Sequence, residues 1–486
     1  MTERPLNFLV IMSDEHRRDT MGCMGHRHVK TPHLDALARR GTVFERAYTA
    51  SPMCVPTRAA VATGQPVHRT GHWDSATPYA GTPDSWMHSL RASGHEVVSI
   101  GKLHFRSAED DNGFTEEILP MHVVGGIGWT IGLLRETLPD YSPSAAELAA
   151  DVGVGSSSYT DYDLAITDAA TDWLSAPERR RQPWAAFVSL VSPHYPLTCP
   201  EAFYALYNPA DMDLPVGAQR PPTHSEVQNV TGFFSYDQFF DEQKMRAAKC
   251  AYFGLTSFMD DCVGRVMGAL AASGQAEHTV VLYVSDHGDM LGDHGMWTKQ
   301  VMYEASVGVP MIMAGPGLPM GRRVLTPASL LDIAPTAHQV MGVKTSQDQH
   351  FGDSLLQLAT GKDQPRRTVF SEYHDGGSTT ASFMVRWGNW KYIHYPGHAP
   401  QLFNLKHDPD EMCDLAPSAP DQPAAEAALG EGERRLRKIC DPEAVNAAAF
   451  ADQRRKIEAL GGEEACLNAY VFNHTPAPKG VMVKTS

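Results

Sequence analysis

The clearest pattern along the chain is a set of short, almost uninterrupted apolar runs at residues 8–12, 96–100, 184–191 and 279–284. Runs of this length, bounded by turn residues, read as strands buried on both faces, as in a parallel sheet. Stretches with helical spacing separate them. Thr31-Pro32 opens one helix, with threonine as cap and proline in the first turn, and Gly41 closes it. Strands alternating with helices predict an α/β domain whose large, mixed, mostly parallel sheet is flanked by helices. Two stretches interrupt the pattern, residues 138–162, rich in Ser and Gly, and the polar residues 209–243. They read as surface excursions or lids. The composition shifts near residues 361–367. Beyond it, residues 368–373, 383–387 and 390–395 predict short antiparallel strands, and 416–438 is Pro-rich and then helical. The expected division is a large catalytic-size domain over 1–365 and a smaller C-terminal antiparallel-sheet α+β domain, with an extended tail, over 366–486.

This reading changes the meaning of the polar residues between the runs. Asp14 comes just after the first run, Lys102 and His104 after the second, His194 after the third, and Asp286 and His287 after the fourth. In open α/β sheets, ligands bind outside the carboxyl ends of the strands. Four separate polar clusters at that position can converge on one site.

Composition narrows the function classes. The 486 residues are 42% hydrophobic and 20% charged, enough for a large buried core. A net charge of −16 argues against a nucleic-acid or anionic-membrane partner, which needs a basic face. No apolar stretch is long enough to span a membrane. The first residues lack a basic start followed by an apolar run, so no signal peptide is expected. The eight cysteines, at 23, 54, 199, 250, 262, 413, 440 and 466, form no CxxC pair. Zinc sites and a disulfide framework are therefore not expected, and a cytoplasmic setting is the simplest reading. A secreted form without its leader is the alternative.

The strongest local signal is Cys54-Val55-Pro56-Thr57-Arg58, followed by Ala59 to Ala62 and Thr63-Gly64. Pro56 is expected to keep Val55 extended. Residues 57–62 suit a helix that Gly64 ends. Cys54 would then sit at a helix N-terminus, where N–H groups and the dipole favour an anion, and Arg58 could donate to the same centre or orient the nucleophile. Taken alone, Cys54 also fits a buried core thiol before an ordinary helix. Asp14 and Asp286 offer carboxylate oxygens from distant segments, as hard divalent cations require, and His287 adds a nitrogen. Asp289, Asp293 and His294 read as structural loop residues.

The run from Cys54 to Gly64 resembles the sulfatase signature C-x-P-x-R-x-x-x-x-T-G, and Gly101-Lys102-Leu103-His104 resembles the second signature of that family, G-K-x-H. The nearest look is to choline-sulfatase-like and phosphonate-monoesterase-like members. The resemblance runs from Asn7 to Gly317 and resumes at Val385 to Tyr392 and at Leu402 to Leu405. It implies hydrolysis of a sulfate monoester by a formylglycine hydrate, an aldehyde made from Cys54 by a maturation enzyme. It implies metal ligands at Asp14, Glu15, Asp286 and His287. Calcium is the first expectation; Glu15 and His287 depart from the commoner Asp-Asp and Asp-Asn pairs, and the nitrogen ligand makes manganese the alternative. The resemblance also implies that Lys102 contacts the hydrate or the sulfate and that His104 takes a proton to release sulfate. His194 would protonate the leaving alcohol, and Lys299 would clamp the sulfate. The tail, residues 459–471 and His474, looks like the choline-sulfatase-like C-terminus that reaches a neighbouring subunit, which implies a homo-oligomer.

The expected substrate is a small soluble sulfate ester. Trp129, Phe105 and Tyr373 with Glu372 are candidate walls for a choline-like alcohol, which needs aromatic faces and a carboxylate. Three other readings compete. The same site could hydrolyse phosphonate monoesters or phosphodiesters. The scaffold could bind an anion or glycan without catalysis, although the intact Cys-Val-Pro-Thr-Arg stretch argues against that. A metal-dependent phosphomutase would need a serine or threonine nucleophile.

Overall fold

In the computed structural model of the chain, residues 5–180, 182–220, 222–345, 350–469 and 475–478 are described. The part of the expected tail at 470–474, including His474, and at 479–486 lies outside them.

The main sheet has eight strands. In spatial order they are Arg322–Val324, Thr42–Phe44, Met311–Ala314, Thr279–Ser285, Asn7–Asp14, Trp184–Pro193, Glu96–Lys102 and Glu116–Met121. Every residue of Thr279–Ser285, Asn7–Asp14 and Trp184–Pro193 is buried, as their unbroken apolar runs require. Asn7–Asp14 pairs in parallel with both neighbours, and Trp184–Pro193 pairs in parallel with Glu96–Lys102. Met311–Ala314 runs antiparallel, which makes the sheet mixed. The helices Pro32–Arg40, Ser158–Ser175 and the long Glu242–Ala272 cover one face, and Cys54–Thr63, Trp86–Ala92 and Ile333–Val340 cover the other.

A second sheet, of four antiparallel strands, follows: Val369–Tyr373, Ser382–Trp387, Trp390–His394 and Gln401–Asn404. The helix Pro423–Arg437 packs its Ala425, Ala428 and Leu436 against this sheet's Phe370, Val385 and Trp387.

Three expectations need correcting. Residues 138–162 are not irregular throughout, because Ser142–Ala150 is a helix and Ser158–Ser175 begins within them. Residues 209–243 likewise contain the helix Ser225–Phe234, whose Phe233 and Phe234 are buried. Val55 is also helical rather than extended, since the helix runs over Cys54–Thr63. Pro56 is the third residue of that helix, inside the first turn, where the missing N–H would have no intrahelical partner. Among the described residues, no helix is long and apolar enough to cross a membrane. All eight cysteines are free thiols.

Candidate active site

Four adjacent parallel strands carry the polar clusters. Asp14 ends its strand, Asp286 follows Ser285, His194 follows Pro193, and Lys102 ends the fourth strand two residues before His104. Their carboxyl ends meet the N-terminus of the helix Cys54–Thr63. That helix is buried along its whole length and closed by Gly64 in the left-handed region, at φ 67°.

Cys54 lies at the centre. Its Sγ is 3.1 Å from His287 Nε2 and 3.6 Å from Asp14 Oδ1. Burial pushes its thiol up to about 12, and Asp14 adds to the effect. The unmodified thiol is therefore protonated and a poor nucleophile at neutral pH.

Arg58 sits one turn along the same helix face. Its Nε donates to Asp286 Oδ2 at 2.9 Å and one terminal nitrogen donates to Asp14 Oδ2 at 2.9 Å. The other donates to Lys102 O at 2.8 Å and Ser189 Oγ at 2.9 Å. Four of its five N–H bonds are thus committed beneath the carboxylates. The expectation that Arg58 donates to the substrate's anionic centre does not match this placement; the guanidinium instead holds Asp14 and Asp286 together. Lys102 Nζ adds an ion pair to Asp14 Oδ2 at 2.6 Å. Burial raises the Asp14 carboxyl, but Lys102 and the other nearby cations outweigh that and hold it well below its usual range.

Asp14, Cys54, Asp286 and His287 present ligand atoms that all lie within 4.8 Å of one another, and Asp14, Glu15 and His194 form a second such group. His287 Nδ1 is 3.0 Å from Gly288 O, which can only accept. Nδ1 therefore carries the proton, and the Nε2 lone pair faces Cys54 and the carboxylates. Glu15 Oε1 is buried without a hydrogen-bond partner. Two clustered carboxylates, an imidazole lone pair and an orphaned carboxylate oxygen fit a divalent cation. Glu15 belongs to the second group, with Asp14 and His194, and its Oε2 accepts from Lys299 Nζ at 3.0 Å. Burial raises the Glu15 carboxyl to about 8 against the opposing pull of Lys299.

His194 Nε2 is 3.0 Å from Lys299 Nζ and 3.3 Å from Glu15 Oε2. Its Nδ1 is 2.7 Å from Tyr195 O, so Nδ1 is the protonated nitrogen and Nε2 accepts from the lysine. Both ring nitrogens of His104 are buried without hydrogen-bond partners. Burial, with Lys102, drives His104 well below its ordinary value, and burial with Lys299 does the same to His194.

These groups open into a cavity of about 80 Å³ lined by Cys54, His104, His194, Lys299 and Trp129. Sequence reading missed its other aromatic walls, Tyr141, Tyr159, Tyr195 and Phe234. Aromatic residues inside otherwise polar stretches, such as Phe233-Phe234 and Tyr141, were the available signal. Glu372 does not line this cavity. Its carboxylate is fully buried between His68 Nδ1 and His374 Nε2, at 3.0 Å from each. Phe105 packs in the core beside Tyr79, and Tyr373 donates to Gly376 O at 2.7 Å.

The sulfatase family profile matches residues 6–343, and a second profile, the C-terminal region of N-sulphoglucosamine sulphohydrolase, matches residues 292–432. The chain belongs to the sulfatase family. This sulfatase is 31% identical to a choline-sulfatase of Rhizobium meliloti, over 99% of its own chain and 95% of the relative's. It is 30% identical to arylsulfatase K of Danio rerio, over 86% and 82% of the two chains. Its fold matches the crystal structure of a phosphonate monoester hydrolase of Agrobacterium radiobacter, with a TM-score of 0.70 and 23% identity over 92% and 96% of the chains. Membership makes it a sulfuric ester hydrolase.

Proposed function

We propose that this sulfatase hydrolyses a small sulfate monoester with a formylglycine hydrate made from Cys54 and one divalent cation. The observation that carries the reading is the placement of Cys54 at a helix N-terminus, beside Asp14 and His287 and in the lining of the cavity. As a thiol it is neutral there, whereas oxidation to formylglycine followed by addition of water to the aldehyde supplies two hydroxyls on one carbon, one to attack sulfur and one to expel sulfate. Asp14, Asp286, His287 and Glu15 would hold the cation, calcium first or manganese, which lowers a hydroxyl pKa and offsets charge in the transition state.

The chain's own groups divide the remaining work. Arg58 and Lys102 fix the two carboxylates that face the nucleophile. Lys299 and His194, 3.0 Å apart, form one unit on the alcohol side. Lys299 binds a sulfate oxygen, and His194 Nε2 relays a proton to the departing alcohol oxygen. His104 is neutral, with both ring nitrogens unengaged, and is suited to take the proton that releases sulfate. The maturation enzyme is the expected protein partner, and a homo-oligomer is the expected assembly.

The phosphonate monoester hydrolase fold match favours a second reading, hydrolysis at phosphorus by the same site. The ratio of kcat/KM for phenyl sulfate and a phenyl phosphonate monoester on one matured preparation decides between them. A sulfate preference is expected. A phosphonate preference of tenfold or more, about 1.4 kcal/mol in the barrier, would overturn the sulfate reading.

A further inference from the structure

Gln300 follows Lys299 directly and lines the same cavity. None of the steps assigned to Cys54, His104, His194 and Lys299 uses it, yet its backbone is held in an unfavourable form. Its φ is 81°, and that of Thr298, on the other side of Lys299, is 67°. Residues with a side chain seldom enter this left-handed region, and they persist there only where surrounding contacts fix them. The fixing contacts are Gln300's own. Its Oε1 accepts from Lys299 N at 2.9 Å and from Thr298 Oγ1 at 3.0 Å. Its backbone N donates to Pro52 O at 3.3 Å, two residues before Cys54. Gln300 therefore ties the backbone of the lysine to the segment that carries the nucleophile.

These bonds also settle which end of the amide faces where. A backbone N–H can only donate, so the side-chain atom beside Lys299 N is the oxygen. The other end, Nε2, has no hydrogen-bond partner among the described residues, and it is not sealed inside the protein. The residue is 4% exposed and belongs to the cavity wall, so the N–H bonds of Nε2 are available there. Two other neutral donors of the wall are spent. Ser75 Oγ donates to Asp375 Oδ2 at 2.6 Å, and Tyr159 donates its hydroxyl proton to Thr475 O at 2.6 Å. Gln300 thus offers a fixed, uncharged donor next to a cationic one.

That pairing has a chemical consequence. A sulfate monoester carries three terminal oxygens. A phosphonate monoester of the same single charge carries two, with a carbon in the third place. Cationic groups, Lys299 among them, draw the charged oxygens of either ester, so the carbon is left to the uncharged donor. A donor that faces carbon loses its partner, and a site built to hydrogen-bond one substrate rejects the analogue that lacks the atom.

We propose that Gln300 is a specificity-determining residue. Its Nε2 donates to the third terminal oxygen of the sulfate group and so favours sulfate over phosphonate monoesters, while its Oε1 sets the backbone of Lys299. The proposal rests on the sulfate-ester reading of the site.

Gln300→Met keeps the length of the side chain and removes both ends of the amide. The test measures kcat/KM for phenyl sulfate and phenyl methylphosphonate, side by side, on the matured wild type and the matured variant. Loosening of Lys299 lowers both values alike, because both esters carry one negative charge, whereas loss of the donor lowers only the sulfate value. The sulfate-to-phosphonate ratio is therefore expected to fall by about fivefold or more, in keeping with one lost hydrogen bond. Gln300→Asn, whose side chain suits the left-handed backbone but falls one methylene short, carries the same expectation if Gln300→Met does not fold. A smaller fall, equal losses on the two esters or a rise in the ratio in a folded variant would overturn the proposal. A wild-type phosphonate preference of about tenfold or more would overturn the sulfate reading, and the change in ratio between wild type and variant would still decide the role of Gln300.

Discussion

Arg58→Met removes the guanidinium that joins Asp14 and Asp286 and leaves a side chain of similar length. Arg58 is 3% exposed, and its two carboxylate partners are fully buried. It donates to them at 2.9 Å each and to two further oxygens at 2.8 and 2.9 Å. Removing one partner of a buried ion pair costs about 3–5 kcal/mol, because the remaining charge is left uncompensated. With an unfolding entropy of about 2.1 cal/mol/K per residue, a chain of this length loses about 1 °C of Tm per kcal/mol if it unfolds as one unit. A fall of about 3–5 °C is therefore expected for chelated protein in scanning calorimetry. Adding calcium or manganese should narrow the gap, since the cation compensates the same carboxylates. Arg58→Lys should fall between the two, because an ammonium keeps the charge but cannot reach four acceptors as a planar fork does. A chelated Arg58→Met protein that melts with the wild type would refute the claim that this residue holds the carboxylate pair.

Further outcomes follow from the same geometry. Asp14→Ala or Asp286→Ala should abolish turnover of phenyl sulfate and remove the Tm rise that added metal gives the wild type; retained turnover would contradict the metal assignment. His194→Ala or Lys299→Ala should slow an alkyl sulfate more than a nitrophenyl sulfate, because a good leaving group needs little protonation, and equal losses would contradict that role. In rapid-mixing experiments His104→Ala should release about one equivalent of alcohol per site and then stall, whereas slow release without a burst would place His104 in the first step. Glu411, at the contact between the two sheet regions, is raised by burial from 4.5 to about 7, against the pull of Lys391. A carboxyl whose folded value is raised loses stability as pH rises from its unfolded to its folded value, here by about 3 kcal/mol at most. The Tm difference between Glu411→Gln and wild type should therefore move in favour of the variant between pH 5 and pH 8, and a constant difference would contradict the assignment.

Most of the fold could be read from the sequence because its strands are buried on both faces. The apolar runs at 8–12, 96–100, 184–191 and 279–284 all fall within observed strands. Their order in the sheet was not readable, since pairing depends on contacts between distant segments. The polar ends of those strands were readable for a related reason: a charged residue directly after a buried strand marks the ligand-bearing edge of the sheet. What the sequence concealed was direction. Arg58 sits in a recognisable motif, but which way its guanidinium turns is settled by Asp14, Asp286, Ser189 and the Lys102 carbonyl, all remote in sequence. Glu372 and Trp129 read alike as walls, yet a strand pairing and two histidines bury the first while the second lines the cavity. The helix Ser225–Phe234 was obscured by its polar surroundings, although its buried Val227, Val230 and Phe234 recur at helical spacing.

The central claim is that turnover depends on oxidised Cys54. The direct test is peptide mass spectrometry of residue 54 on a series of preparations with different extents of maturation, each assayed for phenyl sulfate hydrolysis. Activity should rise in proportion to the formylglycine fraction and extrapolate to zero for the unmodified thiol. Full activity in a preparation whose Cys54 is wholly unmodified would contradict the account.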